Sequence, residues 1–149
     1  MHYCAMEVAE RCKQYWDERT PELFEWMVLH KPWWDTIDLI ASRLVGTFFI
    51  EFPELKKNWL PRWIGHESMW LNRIAILFQL KYKDNTDLQW LERAILPHIS
   101  SSEFFHQKAI GWVLREYGKT DPNWVQNFVN SHPLKPLSRR EALRIINKQ

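Results

Sequence analysis

The chain has 149 residues and a formal net charge of +2, with 46% apolar and 26% charged residues; this is the composition of a globular domain and excludes a disordered tail or a fibre. The longest apolar runs, such as Leu44–Ile50, contain Gly and Thr and are far shorter than the roughly 18 residues that a membrane span requires, so no membrane partner is expected. The two cysteines, Cys4 and Cys12, have no Cys or His partner at metal-ligand spacing, so neither a metal site nor a disulfide framework is predicted.

Helix caps and helical apolar spacing recur through the whole chain. Thr20 and Asp121 each precede a Pro as candidate N-caps, and Ser102 and Asp87 are further candidates. Ser138–Glu141 has the spacing of a capping box. The four glycines include no Asn-Gly or Asp-Gly hairpin signal. In chain order, we predict helices over residues 3–16, 21–30, 33–50, 53–64, 68–83, 88–99, 103–118, 122–131 and 138–147. The predicted fold is therefore all α.

An internal repeat appears when the chain is shifted against itself by 35 residues, which aligns residues 72–82 with residues 107–117. Asp38, Arg73 and Lys108 then become equivalent positions. A period of this length holds two helices, the size of a HEAT-like unit. We predict one domain over residues 1–149, an α–α superhelix of antiparallel helix pairs that presents these positions on its concave face.

Charge is distributed unevenly along the chain. Residues 1–60 carry 7 basic and 10 acidic side chains, whereas residues 61–149 carry 13 basic and 8 acidic side chains. The basic C-terminal part suits an acidic partner. Because the sequence has no GxxxxGK[ST], GxGxxG, HExxH or paired CxxC motif, nucleotide hydrolysis, dinucleotide redox chemistry and zinc chemistry lose support, and no cofactor or metal is expected.

The chain contains 10 tryptophans, most of which we expect in the core, Trp33 and Trp70 among them. Trp34 differs because it lies one helical turn before Asp38. Trp112 lies one turn after Lys108, the position equivalent to Asp38 two repeats later. A carboxylate beside aromatic rings stabilises a cation, and a surrounding basic groove holds a polyanion. These features fit a nucleic acid that carries a cationic centre.

Simpler interpretations exist for the same residues. The simpler interpretation of Asp38 is an ordinary ion pair with Arg73, which the repeat places beside it. The simpler interpretation of three basic residues is that they are solvated surface cations: Lys81, Lys108 and Arg115. Asp35, three residues before Asp38 on the same helix, is interpreted as structural.

Four ordered segments, which together span nearly the whole chain, resemble the bacterial DNA alkylation repair glycosylases of the AlkD type. The segments are Trp33–Ala41 (WWDTIDLIA), Trp70–Leu77 (WLNRIAIL), Glu103–Tyr117 (EFFHQKAIGWVLREY) and Pro136–Ala142 (PLSRREA). The resemblance implies a helical-repeat enzyme that binds duplex DNA in a concave groove and hydrolyses the N-glycosidic bond of cationic alkylated purines such as 3-methyladenine and 7-methylguanine. A bacterial, cytoplasmic and nucleoid-associated location follows from this resemblance.

The resemblance also implies roles for individual residues. The catalytic carboxylate of the family falls on Asp38, its aromatic wall on Trp34 and Trp112, and its lesion-proximal arginine on Arg73. An alkylated purine is already positively charged and leaves without protonation, so one carboxylate suffices to stabilise the oxocarbenium-like sugar. No deep base pocket is expected.

Further basic residues are expected to contact the DNA backbone. They are Lys81, Lys108, Arg115, Arg139 and Arg140. The Arg139–Arg140 pair is predicted to open the last helix, where the macrodipole disfavours positive charge, and this favours a phosphate partner.

The chain departs from the family pattern at its start. Family members begin with several additional helices, whereas this sequence opens on a helix that resembles an internal one, so about a third of the usual protein is expected to be absent. We therefore expect weaker DNA binding and self-association through the face that those helices would cover. Three alternatives to the enzyme stay open: a non-catalytic DNA-binding scaffold, a peptide-binding helical-repeat scaffold and an inactive truncated form.

Overall fold

The computed structural model describes residues 2–30 and 34–146, together with the side chains of residues 7–30 and 35–146. The α-helices are α1 (His2–Arg11), α2 (Thr20–His30), α3 (Trp34–Leu39), α4 (Gly46–Glu51), α5 (Lys56–Ile64), α6 (Met69–Leu77), α7 (Leu88–Ile95), α8 (Phe104–Gly118), α9 (Pro122–Ser131) and α10 (Pro136–Leu143). A π-helical segment, Ile40–Val45, joins α3 to α4. Short 3-10 helices lie at Lys13–Tyr15, Pro53–Leu55, Lys83–Asn85 and Leu96–His98.

The prediction of an all-α fold is confirmed, since no strand occurs within residues 2–30 and 34–146. The predicted helix over 33–50 is interrupted by the π-helical segment, and its first residue lies outside the described residues. The predicted helix over 68–83 ends at Leu77 instead. Among the described helices, none has the length and apolar character needed to cross a membrane.

The chain divides into two compact units, Met1–Phe78 and Gln79–Gln149. In the first unit the π-helical segment packs against α1, α2, α3, α4 and α6. Four of its side chains, Ile40, Ala41, Leu44 and Val45, are at most 1% exposed, so this segment forms the centre of that core. The expectation of one continuous repeat domain over residues 1–149 stays a prediction.

Helix α6 is buried on every side, because all of residues 71–77 are buried. Two of these residues, Asn72 and Arg73, are polar, and a buried polar group is costly unless it is hydrogen-bonded. The Asn72 side-chain amide donates to the carbonyls of Trp63, Ile64 and His66 at 2.8 to 3.0 Å. It therefore joins α6 to the last turn of α5 and to the residues that follow that helix.

Side-chain caps set the start of two helices. Asp87 and Asp121 accept hydrogen bonds from amides in the first turns of α7 and α9, which confirms both predicted N-caps. The predicted Thr20 cap is wrong, because α2 begins at Thr20 itself and its hydroxyl accepts from the Asp17 N–H in the preceding turn. The predicted Ser102 cap is also wrong, because Glu103 occupies the N-cap position of α8 and makes no side-chain cap hydrogen bond.

The predicted capping box at Ser138–Glu141 is also wrong. Helix α10 begins earlier, at Pro136, because proline is preset for the first helical turn. Ser138 is buried inside the helix, and its hydroxyl donates to the carbonyl of Gln107 on α8 at 2.9 Å. Glu141 forms ion pairs with α8 instead of reaching back along its own helix.

Helices α8 and α10 approach closely at Gly111. A Cβ atom at this position would lie 2.7 Å from the Cβ of Glu141 and 3.2 Å from the carbonyl oxygen of Ser138. Since neither neighbour is the flexible end of a side chain, any side chain at position 111 would push the two helices apart. The close packing of the second unit therefore depends on this glycine.

The outer side of α2 in the first unit is apolar. Leu23, Trp26 and Leu29 are 47%, 53% and 41% exposed, and the Trp26 ring stacks on His30 with centroids 4.5 Å apart. The uncovered face that the sequence predicts belongs to the first helix, so these exposed residues of α2 do not test it. The self-association that the sequence predicts stays a prediction.

A surface ion pair connects α2 and α5. The Arg62 guanidinium donates to both carboxylate oxygens of Glu25, at 2.7 and 3.1 Å, and the Trp63 indole N–H donates to the same carboxylate at 3.1 Å. The hydrogen bond from Arg62 holds the pKa of Glu25 below its usual value, while burial opposes this shift and Trp63 adds to it.

We expect Gly111→Ala to lower the free energy of unfolding by about 1 to 3 kcal/mol, the usual cost of overpacking. The control is Gly118→Ala at the end of the same helix, where a Cβ would meet Ile146 at an ordinary 3.5 Å. That control should leave stability unchanged or raise it by up to about 1 kcal/mol. Urea unfolding followed by circular dichroism measures both, and equal stabilities would contradict the close-packing argument.

The Glu25 ion pair predicts a pH dependence of stability. Because the folded pKa of Glu25 is depressed, its contribution is present above the pKa of the unfolded chain, near 4.5, and is lost as pH falls through the folded pKa. Glu25→Gln should therefore be less stable than wild type at neutral pH, and the difference should shrink in acid. Urea midpoints at neutral pH and below pH 4.5 test this; a difference that does not change with pH would refute it.

Candidate active site

Asp38 lies on the last turn of α3, directly before the π-helical segment. Its backbone carbonyl accepts a hydrogen bond from the Ser42 hydroxyl at 3.1 Å, at the point where the helical hydrogen-bond pattern changes. A serine that bonds back to this carbonyl disturbs the regular ladder. π-helical turns are rare, and they occur frequently at functional sites. Trp34 begins the same helix, and its side chain lies outside the described residues.

The carboxylate of Asp38 forms a two-point ion pair with Arg73 on α6. Arg73 Nε donates to Oδ1 at 2.8 Å and Nη2 donates to Oδ2 at 3.1 Å. This parallel geometry matches the rigid guanidinium fork to the carboxylate and fixes the orientation of both groups. The pair confirms that the repeat places Asp38 beside Arg73, which is also what the simpler ion-pair interpretation predicts.

The two partners differ in exposure. The Arg73 side chain is 5% exposed, whereas the Asp38 side chain is 14% exposed. The cation is therefore the more deeply buried partner, and the carboxylate keeps the larger contact with solvent. A buried ion pair adds little to stability compared with apolar residues of similar volume, because desolvation offsets the Coulomb attraction. The pair is thus weak evidence for a purely stabilising role.

In the second unit, three cations surround one carboxylate. Glu141 on α10 accepts from Arg115 at 3.0 Å and lies 3.5 Å from Lys108 and 3.8 Å from Arg144. The interpretation of Lys108 and Arg115 as solvated cations is therefore wrong, since both α8 residues hold a carboxylate that is itself only 15% exposed. Sequence analysis missed this centre because Glu141 had been assigned to a helix cap.

The remaining candidate residues also lie in the second unit. Trp112 is half-buried on α8, and Lys81 is exposed in the turn after α6. Arg139 is exposed on α10, where Nη1 donates to the carbonyl of Val129 at 3.3 Å, and Arg140 is exposed in the last turn of that helix.

The expectation that Arg139 and Arg140 open a helix is wrong, because α10 begins at Pro136. The helix macrodipole therefore gives no reason to place a phosphate at this pair. Among the described side chains, no group of three or more His, Cys, Asp or Glu could hold a metal ion.

Breaking the Asp38–Arg73 pair should be costly because it leaves a buried charge without its partner. We expect Arg73→Met to lower the free energy of unfolding by about 3 to 5 kcal/mol. The double variant Asp38→Asn/Arg73→Met should lose less than the sum of the single variants. Urea unfolding measures all three, and strictly additive losses would contradict a coupled pair.

The matched control is Arg62→Met in the same unit. Arg62 also binds a carboxylate at two points, but its side chain is 57% exposed. Since exposed ion pairs contribute little, this control should change stability far less than Arg73→Met.

Comparison with known proteins places the chain in a family. A family model described as DNA alkylation repair enzyme matches residues 1–146. A solved structure described as a predicted DNA alkylation repair enzyme from Enterococcus faecalis is similar to this chain with a TM-score of 0.90 and 32% sequence identity, covering 99% of this chain and 68% of that one. No curated protein matches. The chain therefore belongs to the DNA alkylation repair enzyme family, which supports a role in DNA repair.

Proposed function

We propose that this protein is a DNA glycosylase that removes cationic N-alkylated purines, such as 3-methyladenine and 7-methylguanine, from duplex DNA. Asp38 is the proposed catalytic residue. The observation that carries the proposal is the two-point ion pair that holds Asp38 from its buried side while the carboxylate stays partly exposed.

The proposed reaction needs one negative charge at a fixed place. Alkylation leaves the purine positively charged, so the base departs without a proton from a general acid. As the glycosidic bond lengthens, positive charge develops on the deoxyribose, and a nearby carboxylate stabilises it. The same carboxylate is suited to orient the water that attacks the sugar. Asp38, with its orientation fixed, meets these needs.

Arg73 is the proposed positioning residue for this carboxylate. Its Nε and Nη2 are both engaged with Asp38 and its side chain is 5% exposed, so the guanidinium orients Asp38 from within the protein. Fixing a charged group before the substrate arrives avoids reorganisation during the reaction, and such preorganisation is a large part of electrostatic catalysis. The resemblance also assigns a DNA contact to Arg73. For that contact, Arg73 must bind a phosphate while it still holds the Asp38 carboxylate.

The other roles implied by the resemblance remain proposals. Trp34 and Trp112 are proposed to contact the lesion, where each ring face adds roughly 0.5 to 2 kcal/mol of attraction for a cation. The proposed backbone contacts are Lys81, Lys108, Arg115, Arg139 and Arg140. For Lys108 and Arg115 a phosphate must share the cation with Glu141, which reduces the affinity that each contributes.

The proposal predicts release of free alkylpurine from methylated duplex DNA. Asp38→Asn should lower the single-turnover rate about 100- to 1000-fold, the usual effect of removing one group that stabilises transition-state charge. Chromatography of released 3-methyladenine and 7-methylguanine measures this rate. Circular dichroism of each variant checks that it is folded.

Asp35→Asn is the matched control, because Asp35 lies on the same helix three residues earlier and is exposed. It should keep a rate close to that of wild type. Release by Asp38→Asn at the wild-type rate, or no release by wild type, would overturn the proposed activity.

A non-catalytic DNA-binding role is the second candidate. The ion pair favours this role, because the charge of Arg73 weakens the electrostatic field of the Asp38 carboxylate at a sugar that it does not touch directly. This role gives duplex affinity with a steep salt dependence and no base release. Binding isotherms at several salt concentrations, measured beside the release assay, separate the two functions.

A further inference from the structure

A cleft of about 560 Å³ lies within the second unit, next to the turn that follows α6. This volume is in the range of small-molecule sites. Its walls come from Leu91 on α7, from the second half of α8 with the residues that follow it, and from five residues of the turn: Gln79, Leu80, Lys81, Lys83 and Thr86. None of the residues proposed for catalysis or lesion contact lines this cleft.

Lysines outnumber acidic residues in the lining of the cleft. Three lysines line it, Lys81, Lys83 and Lys119, against one acidic residue, Glu116. Lys119 binds Glu116 at 2.9 Å, which neutralises one of the three. Lys81 and Lys83 are exposed and form no ion pair with another described residue. Two carboxylates that do not line the cleft, Asp84 and Asp121, lie near enough to act on Tyr117. Within the lining itself, the two lysines without an ion pair favour an anion.

The turn that carries these lysines is held in a defined conformation. Gln79, only 3% exposed, closes it by donating to the carbonyl of Asp87 at 3.1 Å and accepting from the Asp87 N–H at 2.6 Å. Lys83 has a φ of 52°, which lies in the left-handed region of backbone conformation that residues other than glycine rarely adopt. The Thr86 hydroxyl donates to the Lys83 carbonyl at 2.8 Å. Backbone strain maintained by such bonds is common at ligand sites.

The floor of the cleft is apolar. Leu91 and Val113, which are 1% and 2% exposed, line it together with Tyr117. Burial raises the pKa of Tyr117, and Asp121 and Asp84 raise it further, so the phenol stays protonated at neutral pH and is able to donate a hydrogen bond. The cleft thus combines an apolar floor, neutral hydrogen-bonding side chains that include Tyr117, and exposed lysines.

We propose that this cleft binds a mononucleotide, with Lys81 and Lys83 on the phosphate and the base against the floor formed by Leu91, Val113 and Tyr117. A planar base with an attached phosphate has the same division into an apolar and an anionic part. The nucleotide comes either from the free pool or from an unpaired end of DNA, and the phosphate ester is common to both sources.

The alternative is that the lysines only stabilise helix ends, since cations near a helix C-terminus interact favourably with its dipole. This explanation suits Lys119, which directly follows α8. It does not account for Lys83, which lies beyond the end of α6 in a strained turn closed by its own hydrogen bonds.

The test is a titration of the full chain with 2′-deoxyadenosine 5′-monophosphate, followed by amide chemical shifts. We expect saturable shifts confined to residues 79–87, 91 and 113–120, with weaker responses to 2′-deoxyadenosine and to inorganic phosphate alone. Lys81→Ala and Lys83→Ala should each weaken nucleotide binding about tenfold, the loss of one charge-assisted hydrogen bond. Lys57→Ala, an exposed lysine of the first unit, is the matched control and should leave the affinity unchanged.

The absence of saturable shifts, or equal weakening by Lys57→Ala, would overturn the proposal. Because Lys81 is also a proposed backbone contact, blunt duplex is expected to compete weakly and to shift the Lys81 amide. Stronger competition by DNA with an unpaired end than by blunt duplex would identify DNA as the source, whereas equally weak competition by both would identify the free nucleotide. If blunt duplex shifts these amides and the nucleotide shifts none of them, the cleft is a backbone contact and the proposal is wrong. Asp38→Asn should bind the nucleotide like wild type, so this result is independent of the glycosylase assay.

Discussion

The buried charge of Arg73 is a strong constraint on how the helices of the first unit pack. This guanidinium lies in α6, whose residues 71–77 are all buried, and a buried cation without a partner costs several kcal/mol. Asp38 is the carboxylate that meets it, at two points. The relative positions of α3 and α6 are therefore set by an ionic requirement as well as by apolar packing, and the π-helical segment after Asp38 lies in the centre of the same core.

The same requirement explains how a carboxylate is kept both oriented and accessible. Arg73 occupies the buried side of the pair, and the Asp38 side chain is 14% exposed. A carboxylate on a flexible surface turn would be solvated and free to rotate, and it would lose catalytic value. In the proposed reaction, the fold provides the orientation in advance, and the positive leaving group makes a second acid unnecessary.

The second unit uses a carboxylate in a different way. Glu141 collects Lys108, Arg115 and Arg144, and the close approach at Gly111 brings α10 near enough to α8 for these contacts. Lys108 and Arg115, which are proposed to contact DNA, therefore also hold α8 and α10 together. Their substitution is expected to affect stability and DNA binding together, so only variants with measured stability are informative about phosphate contacts.

The sequence by itself determined the all-α class, the approximate positions of most helices, the caps at Asp87 and Asp121, and the pairing of Asp38 with Arg73. It did so because apolar periodicity, local capping and a 35-residue repeat are all recorded along the chain. Only the tertiary structure decided that α10 begins at Pro136, that Ser138 bonds to α8 and that Glu141 is an ion-pair centre. The physical reason is that a local capping pattern competes with partners distant in sequence, and the closest helix determines which hydrogen bonds form. For Asp38, the sequence indicated which cation it meets, but the exposure that leaves its carboxylate available depends on how α3 and α6 pack.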